Sequence, residues 1–190
     1  TFIIYKSSAN DTRWTVGHSS LGWTRGLVLD TNSAQLAADG AYWNNTAPTS
    51  SVFSIGDTGQ IGNGNTLAYL WHDVPGLQKF GSYTGNNSSD GPFIELGFRP
   101  SIVWVKIYSG TDSNWVILDK ERDPDNVVRN NLYADDDAAQ NQFDWADFLS
   151  NGFKPRVNLN QINGDGYSYI YCAWAEAPTV NLYGGGANAR

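Results

Sequence analysis

The chain has 190 residues, which is long enough for one well-cored β-sandwich and too short for two ordinary globular domains. Its 19 acidic residues outnumber its 12 lysines and arginines, and no basic run offsets the net charge of -7. Nucleic acid is therefore a poor partner, because phosphate binding needs clustered cations. No apolar segment approaches the roughly 20 residues of a membrane-spanning helix, so we expect no membrane insertion.

The composition favours an all-β fold. Gly, Asn, Asp, Ser and Thr are abundant, and aromatic residues make up 14% of the chain, which is typical of strands and turns. The single cysteine, Cys172, lies in an apolar run where it is expected to be a small buried hydrophobe, and an intrachain disulfide is excluded. A chain without Met that opens within a strand pattern is expected to be a piece of a longer polypeptide.

The elements predicted in the first half recur in the second, at a spacing of about 100 residues. In chain order, four blocks align: FIIYK (2–6) with IVWVK (102–106), RWTV (13–16) with NWVI (114–117), LVLDTNSAQ (27–35) with LYADDDAAQ (132–140), and LAYLWHDVP (67–75) with IYCAWAEAP (170–178). The third block is too weak to carry the alignment alone. Each unit thus begins with an apolar pair of strands, continues through a polar stretch and closes with a strand stopped by Pro.

The repeat predicts one domain over residues 1–190, with a half-repeat at 1–80, a connector at 81–100, a second half-repeat at 101–180 and a flexible tail at 181–190. Because one half could bury little surface alone, the two halves are expected to cover each other in a two-layer antiparallel β-sandwich. At most one short helix is predicted, at 141–153, where apolar residues at i, i+4 spacing end at Asn151 and Gly152.

The closing strands show which residues should face the core. In the second unit Ile170, Cys172 and Trp174 fall on one face and tyrosines on the other, so this strand is predicted to be central in its sheet. In the first unit the matching core-facing residues are Leu67, Tyr69 and Trp71. Five tryptophans follow such strand patterns and are predicted to be core: Trp14, Trp71, Trp104, Trp115 and Trp174.

Carbohydrate recognition is the binding chemistry that the remaining residues favour. A pyranose ring needs a flat apolar surface, and its hydroxyls need nearby amides, carboxylates or hydroxyls. Aromatic and amide residues among turn formers meet both needs. The predicted binding residues are Trp23, Tyr42, Trp43, Asn44, Asn45 and, in the connector, Tyr83.

Catalytic and metal sites find less support in the sequence. His18 beside two serines lacks the spacing of a nucleophile elbow, so it is interpreted as a residue that satisfies local backbone groups. Asp73 and Glu176, at equivalent strand ends, are the carboxylate pair that a glycoside hydrolase would need. The acidic stretches 123–126 and 135–137 offer oxygen ligands, so a bound calcium stays open, although both lack the EF-hand pattern.

Most of the chain resembles the C-terminal domains of tail-fibre or tail-associated proteins from marine bacteriophages, including cyanophages. The residues that carry the resemblance are HSSLG (18–22), KFGSYTGNNSSDGPFIELGFRP (79–100), NWVILDKERDP (114–124), DFLSNGFK (147–154), YIYCAWAEAP (169–178) and NLYGGGANAR (181–190). The resemblance implies a concanavalin-like or laminin-G-like jelly roll at the distal end of a fibre in the virion, displayed as a homotrimer. It implies no catalytic residue and no cofactor.

Three hypotheses follow from the residues and the resemblance together. The first is a non-enzymatic receptor-binding module that recognises a host surface glycan or another envelope component. The second is a depolymerase that cleaves such a glycan with a carboxylate pair. The third is a structural domain that trimerises or caps the fibre.

Overall fold

The computed structural model describes residues 1–8, 12–37, 40–57 and 65–177, and these form two antiparallel β-sheets. The smaller sheet has the order β3-β2-β1-β4 and consists of β1 (Phe2–Ser7), β2 (Thr15–His18), β3 (Leu27–Val28) and β4 (Thr66–Trp71). The larger has the order β5-β12-β7-β8-β9-β10-β11-β6 and consists of β5 (Gln78–Thr84), β6 (Ile94–Glu95), β7 (Ile102–Ser109), β8 (Val116–Asp119), β9 (Val128–Tyr133), β10 (Gln142–Leu149), β11 (Gly152–Pro155) and β12 (Ser168–Trp174). The prediction of an all-β fold is confirmed.

Helical structure in the described ranges is limited to one 3-10 turn, Ser19–Leu21. No helix in this part of the chain is long and apolar enough to cross a membrane. The predicted tail at 181–190, and residues 178–180 at the end of the second half-repeat, lie outside the described residues.

The aligned repeat blocks occupy equivalent register positions in the two sheets. In the smaller sheet β1 pairs with β4 so that Phe2 lies opposite Trp71, and in the larger sheet β7 pairs with β12 so that Ile102 lies opposite Trp174. These are the positions that the alignment of the opening and closing blocks equates. The pairing of first with last strand is therefore the same in both halves, residue for residue.

The third block, the weakest in sequence, follows the same register. Val16 of β2 lies opposite Leu27 of β3, and Ile117 of β8 lies opposite Leu132 of β9. The alignment equates these two pairs. The strand order β3-β2-β1-β4 is thus repeated as β9-β8-β7-β12, with the remaining strands of the larger sheet added around this common four-stranded unit.

The two sheets bury apolar side chains against each other. Their shared cluster combines residues of the smaller sheet and its loops, Phe2, Ile4, Val16, Leu21 and Leu27, with residues of the larger sheet and its loops, Phe80, Trp115, Ile170 and Cys172. Trp115 is fully buried, while Trp14, Trp71, Trp104 and Trp174 pack against this cluster partly buried. A second, larger cluster is contributed by β6 to β12, so the larger sheet also curls around a core of its own.

The outer face of the smaller sheet is covered by the irregular segment 40–57, which we name the covering segment. Ile3 and Tyr5 of β1 point to this side and pack with Trp43 of the covering segment. Gly17 of β2 lies beneath it, and a Cβ at Gly17 would clash with the Trp43 ring and lie 2.8 Å from the Trp23 ring. The close approach of these two indoles to the sheet therefore depends on a glycine.

The predicted helix at 141–153 is wrong, because this segment forms the hairpin of β10 and β11. Leu149 lies opposite Gly152, and β10 also pairs with β9 on its other side. The i, i+4 spacing of a few apolar residues was outweighed by sheet pairing on both edges. Residues 150–151 form the turn of a hairpin rather than a helix end.

Two other expectations about the strands have different outcomes. The predicted connector at 81–100 is not all loop, since β5 extends to Thr84 and β6 lies within it. The closing strand β12 is central, between β5 and β7, as predicted. Its counterpart β4 is an outer strand, and Leu67 and Tyr69, predicted to face the core, are 51% and 47% exposed. That prediction is wrong for these two residues because the larger sheet does not cover them.

Candidate functional site

A cavity of about 320 Å³ opens on the outer side of the smaller sheet, beside the covering segment. It combines one aromatic ring, one guanidinium, three hydroxyls and two aliphatic side chains: Arg13, Thr15, Val28, Thr31, Ser33, Leu36 and Tyr42. Its size falls at the lower end of the roughly 300–1,000 Å³ usual for small-molecule sites. We name it the β3-edge pocket, because β3 is the outermost strand on this side of the sheet.

The floor of the β3-edge pocket is built by strand pairing. Thr15 of β2 lies opposite Val28 of β3, and both side chains are buried. Thr15 also lies opposite Tyr5 of β1, so alternation places all three on the outer face of the sheet. The neighbouring positions Val16 and Leu27 point to the opposite side, into the core between the sheets.

One wall of the pocket is the loop after β3, residues 31–36. Within the first half it is held by a hydrogen bond in which the amide of Leu36 donates to the carbonyl of Gly26 at 2.9 Å. The Arg25 guanidinium also donates to the Leu36 carbonyl, at 3.5 Å. These contacts fix the far end of the loop against the chain that leads into β3.

The second half of the chain holds the middle of the same loop. The Nζ of Lys106 donates to the Asn32 carbonyl at 2.7 Å, and the Asp112 carboxylate accepts from the Ala34 amide at 2.8 Å. The Ser113 amide donates to the same Asn32 carbonyl at 2.9 Å. A pocket lined by the first half therefore has a wall whose position depends on the loop between β7 and β8.

The other wall is supplied by the covering segment through Tyr42. The amide of Gly56 donates to the Tyr42 carbonyl at 3.1 Å, which joins the two ends of the segment next to this residue. The Tyr42 ring lies 3.3 Å from the place where a Cβ on Gly26 would be. Tyr42 is partly exposed and lines the pocket.

Thr31 adds a polar group without a hydrogen-bond partner among the described residues. Its Oγ1 is buried and makes no hydrogen bond to any described group. Buried hydroxyls are nearly always hydrogen-bonded, and a threonine hydroxyl can both donate and accept.

The predicted binding residues Trp23, Tyr42, Trp43, Asn44 and Asn45 do come together on the outer side of the smaller sheet. Trp43 is fully buried, however, beneath its own segment and against the sheet. Trp23 is partly buried and meets Trp43 edge to face, with ring centres 5.3 Å apart. The prediction that Trp43 is a ligand-stacking residue is wrong, because the ring anchors the covering segment instead.

Asn44 and Asn45 are exposed and form the turn that follows Trp43. Both have a positive φ, of 50° and 48°, a conformation that asparagine tolerates better than most residues. The amide of Thr46 donates to the Trp43 carbonyl at 3.0 Å, which closes the turn. Their side chains neighbour Tyr42 in sequence and are accessible from solvent, although neither lines the β3-edge pocket.

Tyr83 does not join the other predicted residues. It lies in β5 of the larger sheet, stacks on Tyr169 with ring centres 5.0 Å apart, and donates its hydroxyl to the Ile162 carbonyl at 2.6 Å. Burial raises the pKa of Tyr83 well above its usual value. Its loop-like sequence context is explained by the turn that begins directly after the strand.

Most residues that line the β3-edge pocket were not predicted as binding residues. Arg13, Thr15 and Val28 are set by the outward alternation of β2 and β3, and Thr31 and Ser33 lie in the third repeat block. The available signal was the alignment of this block, since it places a strand edge and a loop next to the aromatic covering segment. The polar character of a pocket gathered from four separate stretches is not visible in any one of them.

The carboxylates considered for catalysis are held by different partners. An Asp73 oxygen accepts from the Phe80 amide at 2.9 Å, and Glu176 forms an ion pair with Lys120. Both residues are exposed. The hydrogen bond of Asp73 braces the turn between β4 and β5, and neither residue lines the β3-edge pocket.

The acidic stretches considered for calcium are used to organise loops. Asp123 accepts from the amides of Arg129 and Asn130 at the start of β9, and Asp135 accepts from the Trp115 amide at 2.8 Å. Asp136 accepts from the Ala138 amide at 2.9 Å. Across residues 1–8, 12–37, 40–57 and 65–177, no group of three or more His, Cys, Asp or Glu side chains could hold a metal ion.

His18 satisfies backbone groups, as its sequence context predicted. It is fully buried at the end of β2, its Nδ1 accepts from the Ser20 amide at 3.1 Å, and its Nε2 lies 3.3 Å from the Tyr171 carbonyl. This arrangement defines the tautomer with hydrogen on Nε2. Burial lowers the pKa of His18 to about 4, so the ring is neutral near pH 7.

Comparison with known proteins gives one family match. No curated protein and no solved structure matches the chain. The family model that matches covers residues 1–178, and therefore both half-repeats up to the end of the described residues. The chain belongs to the family described as "Domain of unknown function (DUF7483)".

Proposed function

We propose that the chain is a non-enzymatic adhesion module that binds a host surface glycan in the β3-edge pocket. The observation that carries the proposal is the pocket itself, in which the partly exposed Tyr42 lines the same cavity as Ser33, Thr31 and Arg13. An aromatic ring beside several hydroxyls is the combination that a sugar ring requires. The pocket volume of about 320 Å³ suits a single sugar unit better than a long oligosaccharide.

The proposed biological setting is the distal end of a bacteriophage tail fibre in the virion. It is supported by the resemblance of residues 18–22, 79–100, 114–124 and 147–154 to marine phage tail-fibre domains. Display as a homotrimer, with several fibres per virion, would allow weak single sites to give firm attachment, because each further contact is made at a high effective concentration.

The finer fold that we propose is a concanavalin-like or laminin-G-like jelly roll. In its favour, the two sheets share one apolar cluster, to which Phe2 and Ile4 contribute from one side and Phe80 and Ile170 from the other. In such folds, loops at the margin of one sheet are free to form a ligand site. The β3-edge pocket lies at such a margin.

The binding proposal is tested by replacing the aromatic ring of the pocket. We expect wild-type protein to bind some members of an array of neutral and acidic bacterial surface polysaccharides, and Tyr42→Ala to weaken that binding about tenfold or more. The matched control is Phe143→Ala, which removes an exposed aromatic ring from β10 in the larger sheet. An array on which the wild type binds nothing, or equal binding by Tyr42→Ala and wild type, would contradict the proposal.

The same polysaccharides separate binding from cleavage. An adhesion module leaves their reducing-end content unchanged over hours, whereas a depolymerase using Asp73 or Glu176 would release reducing ends and lose this activity in Asp73→Asn. A purely structural fibre domain would bind no member of the array and would be needed for trimer formation.

A further inference from the structure

Strand β4 has the sequence of an inner strand but occupies the outer position of the smaller sheet. Across the described residues it pairs only with β1, over six consecutive residue pairs without a register shift. Three of its large apolar side chains are exposed: Leu67 at 51%, Tyr69 at 47% and Leu70 at 53%. They lie on both faces, since Tyr69 is opposite Ile4 and Leu70 is opposite Ile3.

The second half of the chain shows what covers an equivalent strand. There β12, the counterpart of β4, pairs with β7 on one side and with β5 on the other. Its residues at the positions of Leu67 and Leu70 are Ile170 and Ala173, and both are fully buried. The closing strand of the repeat is therefore able to accept a further antiparallel strand on its outer edge.

Nothing in β4 protects its free edge. Soluble proteins usually block such an edge with a charge, a proline or a bulge, because unpaired amides and carbonyls otherwise attract another strand. The six residues Thr66–Trp71 contain no charged residue and no proline, and their pairing with β1 is regular. The edge is thus flat, apolar and ready to pair.

We propose that β4 pairs antiparallel with β4 of a second copy of this chain, with a two-fold axis at Tyr69. Side chains directly opposite each other in an antiparallel pair lie on the same face, so a continuous sheet requires pairs of equal parity. With Tyr69 opposite Tyr69, Leu67 lies opposite Trp71 and Ala68 opposite Leu70. Each exposed apolar residue of one strand then meets an apolar residue of the other.

The self-complementary register of β4, and not the net charge of the chain, favours a second copy as the occupant. The chain carries a net charge of -7, so most of its surface repels another copy, but β4 can meet itself without bringing like charges together at the contact. A six-residue strand is only about 20 Å long, and a contact of this size falls near the small end of specific interfaces. The resulting dimer is reversible, depends on concentration, and is a contact separate from those within the homotrimer proposed for the fibre.

The test is the mass of the 190-residue chain in sedimentation velocity, from about 1 µM to about 1 mM. We expect a concentration-dependent dimer in the wild type and at least a roughly tenfold weaker dimer in Tyr69→Lys, which places two ammonium groups opposite each other. The matched control Val52→Lys adds the same charge at a 64% exposed residue of the covering segment and should dimerise like the wild type. Circular dichroism verifies that both variants fold.

The register is tested separately by Tyr69→Cys. A cysteine on the two-fold axis faces its own copy at a separation that a disulfide can span, whereas Val52→Cys has no such neighbour. The native Cys172 is buried and does not compete. A monomer at all concentrations, a dimer or trimer that Tyr69→Lys leaves unchanged, or equal crosslinking by the two cysteine variants would overturn the proposal, whatever the polysaccharide array shows.

Discussion

Lys106 lies over the face of Trp115, with its Nζ 5.9 Å from the ring centre, and the two residues repeat a pair found in the first half. There the Nζ of Lys6 lies 5.5 Å from the ring centre of Trp14. The repeat alignment equates both members, so one lysine-tryptophan contact has been kept in two environments. In the second half the lysine is fully buried and donates to the carbonyls of Asn32 and Ser113.

The burial of Lys106 should make stability depend on pH in the alkaline range. Desolvation lowers the pKa of Lys106 to about 8 from an ordinary value of 10.5. Between these values the unfolded chain binds a proton that the folded chain does not, so the free energy of unfolding should rise with pH. For Lys106 alone this rise amounts to about 2 kcal/mol between pH 8 and 10. Burial raises the pKa of Cys172 and Tyr171, so these groups ionise first in the unfolded chain and oppose the rise in the wild type; the contribution of Lys106 is therefore the difference between wild type and Lys106→Met.

Urea unfolding at several pH values measures this contribution. Lys106→Met should remove this contribution between pH 8 and 10, and the matched change Lys6→Met, in the equivalent pair, should keep it. Equal slopes for Lys106→Met and wild type would show that the buried ammonium is not the titrating group.

The burial of His18 should make the free energy of unfolding depend on pH in the acidic range. Its pKa is lowered to about 4 from 6.5, so between these values the unfolded chain binds the proton and the folded chain does not. Stability should therefore be complete above pH 6.5 and be lost as the pH falls toward 4, by up to about 3 kcal/mol.

Replacement of His18 by Asn isolates this effect. The Asn side chain can still accept from the Ser20 amide but does not titrate, so His18→Asn should flatten the unfolding free energy between pH 4 and 6.5. His72→Asn is the control, since His72 is exposed and should leave the slope as in the wild type. If His72→Asn flattened the unfolding free energy between pH 4 and 6.5 and His18→Asn did not, the pH dependence would not come from His18.

Gly17 should be the least replaceable glycine beneath the covering segment. An added Cβ would clash with Trp43 and crowd Trp23, so Gly17→Ala should cost about 1–3 kcal/mol and loosen residues 40–57. Gly26→Ala, where the nearest side-chain atom is 3.3 Å away on Tyr42, should cost less. Urea unfolding followed by tryptophan fluorescence measures both, and an equal cost for the two variants would argue against the close packing at Gly17.

The repeat was the most informative feature of the sequence, and its limits explain what was missed. Matching Trp14 to Trp115 and Trp71 to Trp174 is enough to transfer the strand register of one half to the other, because alternation fixes the register once one contact is known. Which copy of a strand receives a further neighbour is not encoded in the shared pattern. Tyr69 and Cys172 occupy equivalent places, yet one is half-exposed and the other buried.

The candidate site was only partly visible in the sequence for a similar reason. Trp43 and Tyr42 are adjacent residues among turn formers, and no local signal tells which ring turns toward the sheet. The structure buries Trp43 over Gly17 and leaves Tyr42 at the pocket, a choice decided by contacts with a distant strand. Thr31 is likewise placed by hydrogen bonds of its loop to residues about 80 positions away, such as Asp112.

The loop between β7 and β8 should control the β3-edge pocket from the other half of the chain. Asp112 accepts from the Ala34 amide, so Asp112→Ala removes a restraint on the wall at 31–36 without touching the pocket. Because Asp112 is exposed, we expect a loss of at most about 1 kcal/mol in stability. Amide hydrogen exchange of Ala34 and Gln35 should become faster, while exchange in β10 stays unchanged. Asp144→Ala, which removes an exposed ion pair with Arg129 in the larger sheet, should leave both amides as they are in the wild type.

If the pocket binds a glycan, Asp112→Ala should also weaken that binding several-fold, since the wall must be ordered again when the ligand enters. Unchanged exchange at Ala34 would show that the other hydrogen bonds of the loop, such as those from Lys106 and Ser113 to Asn32, hold the wall without Asp112.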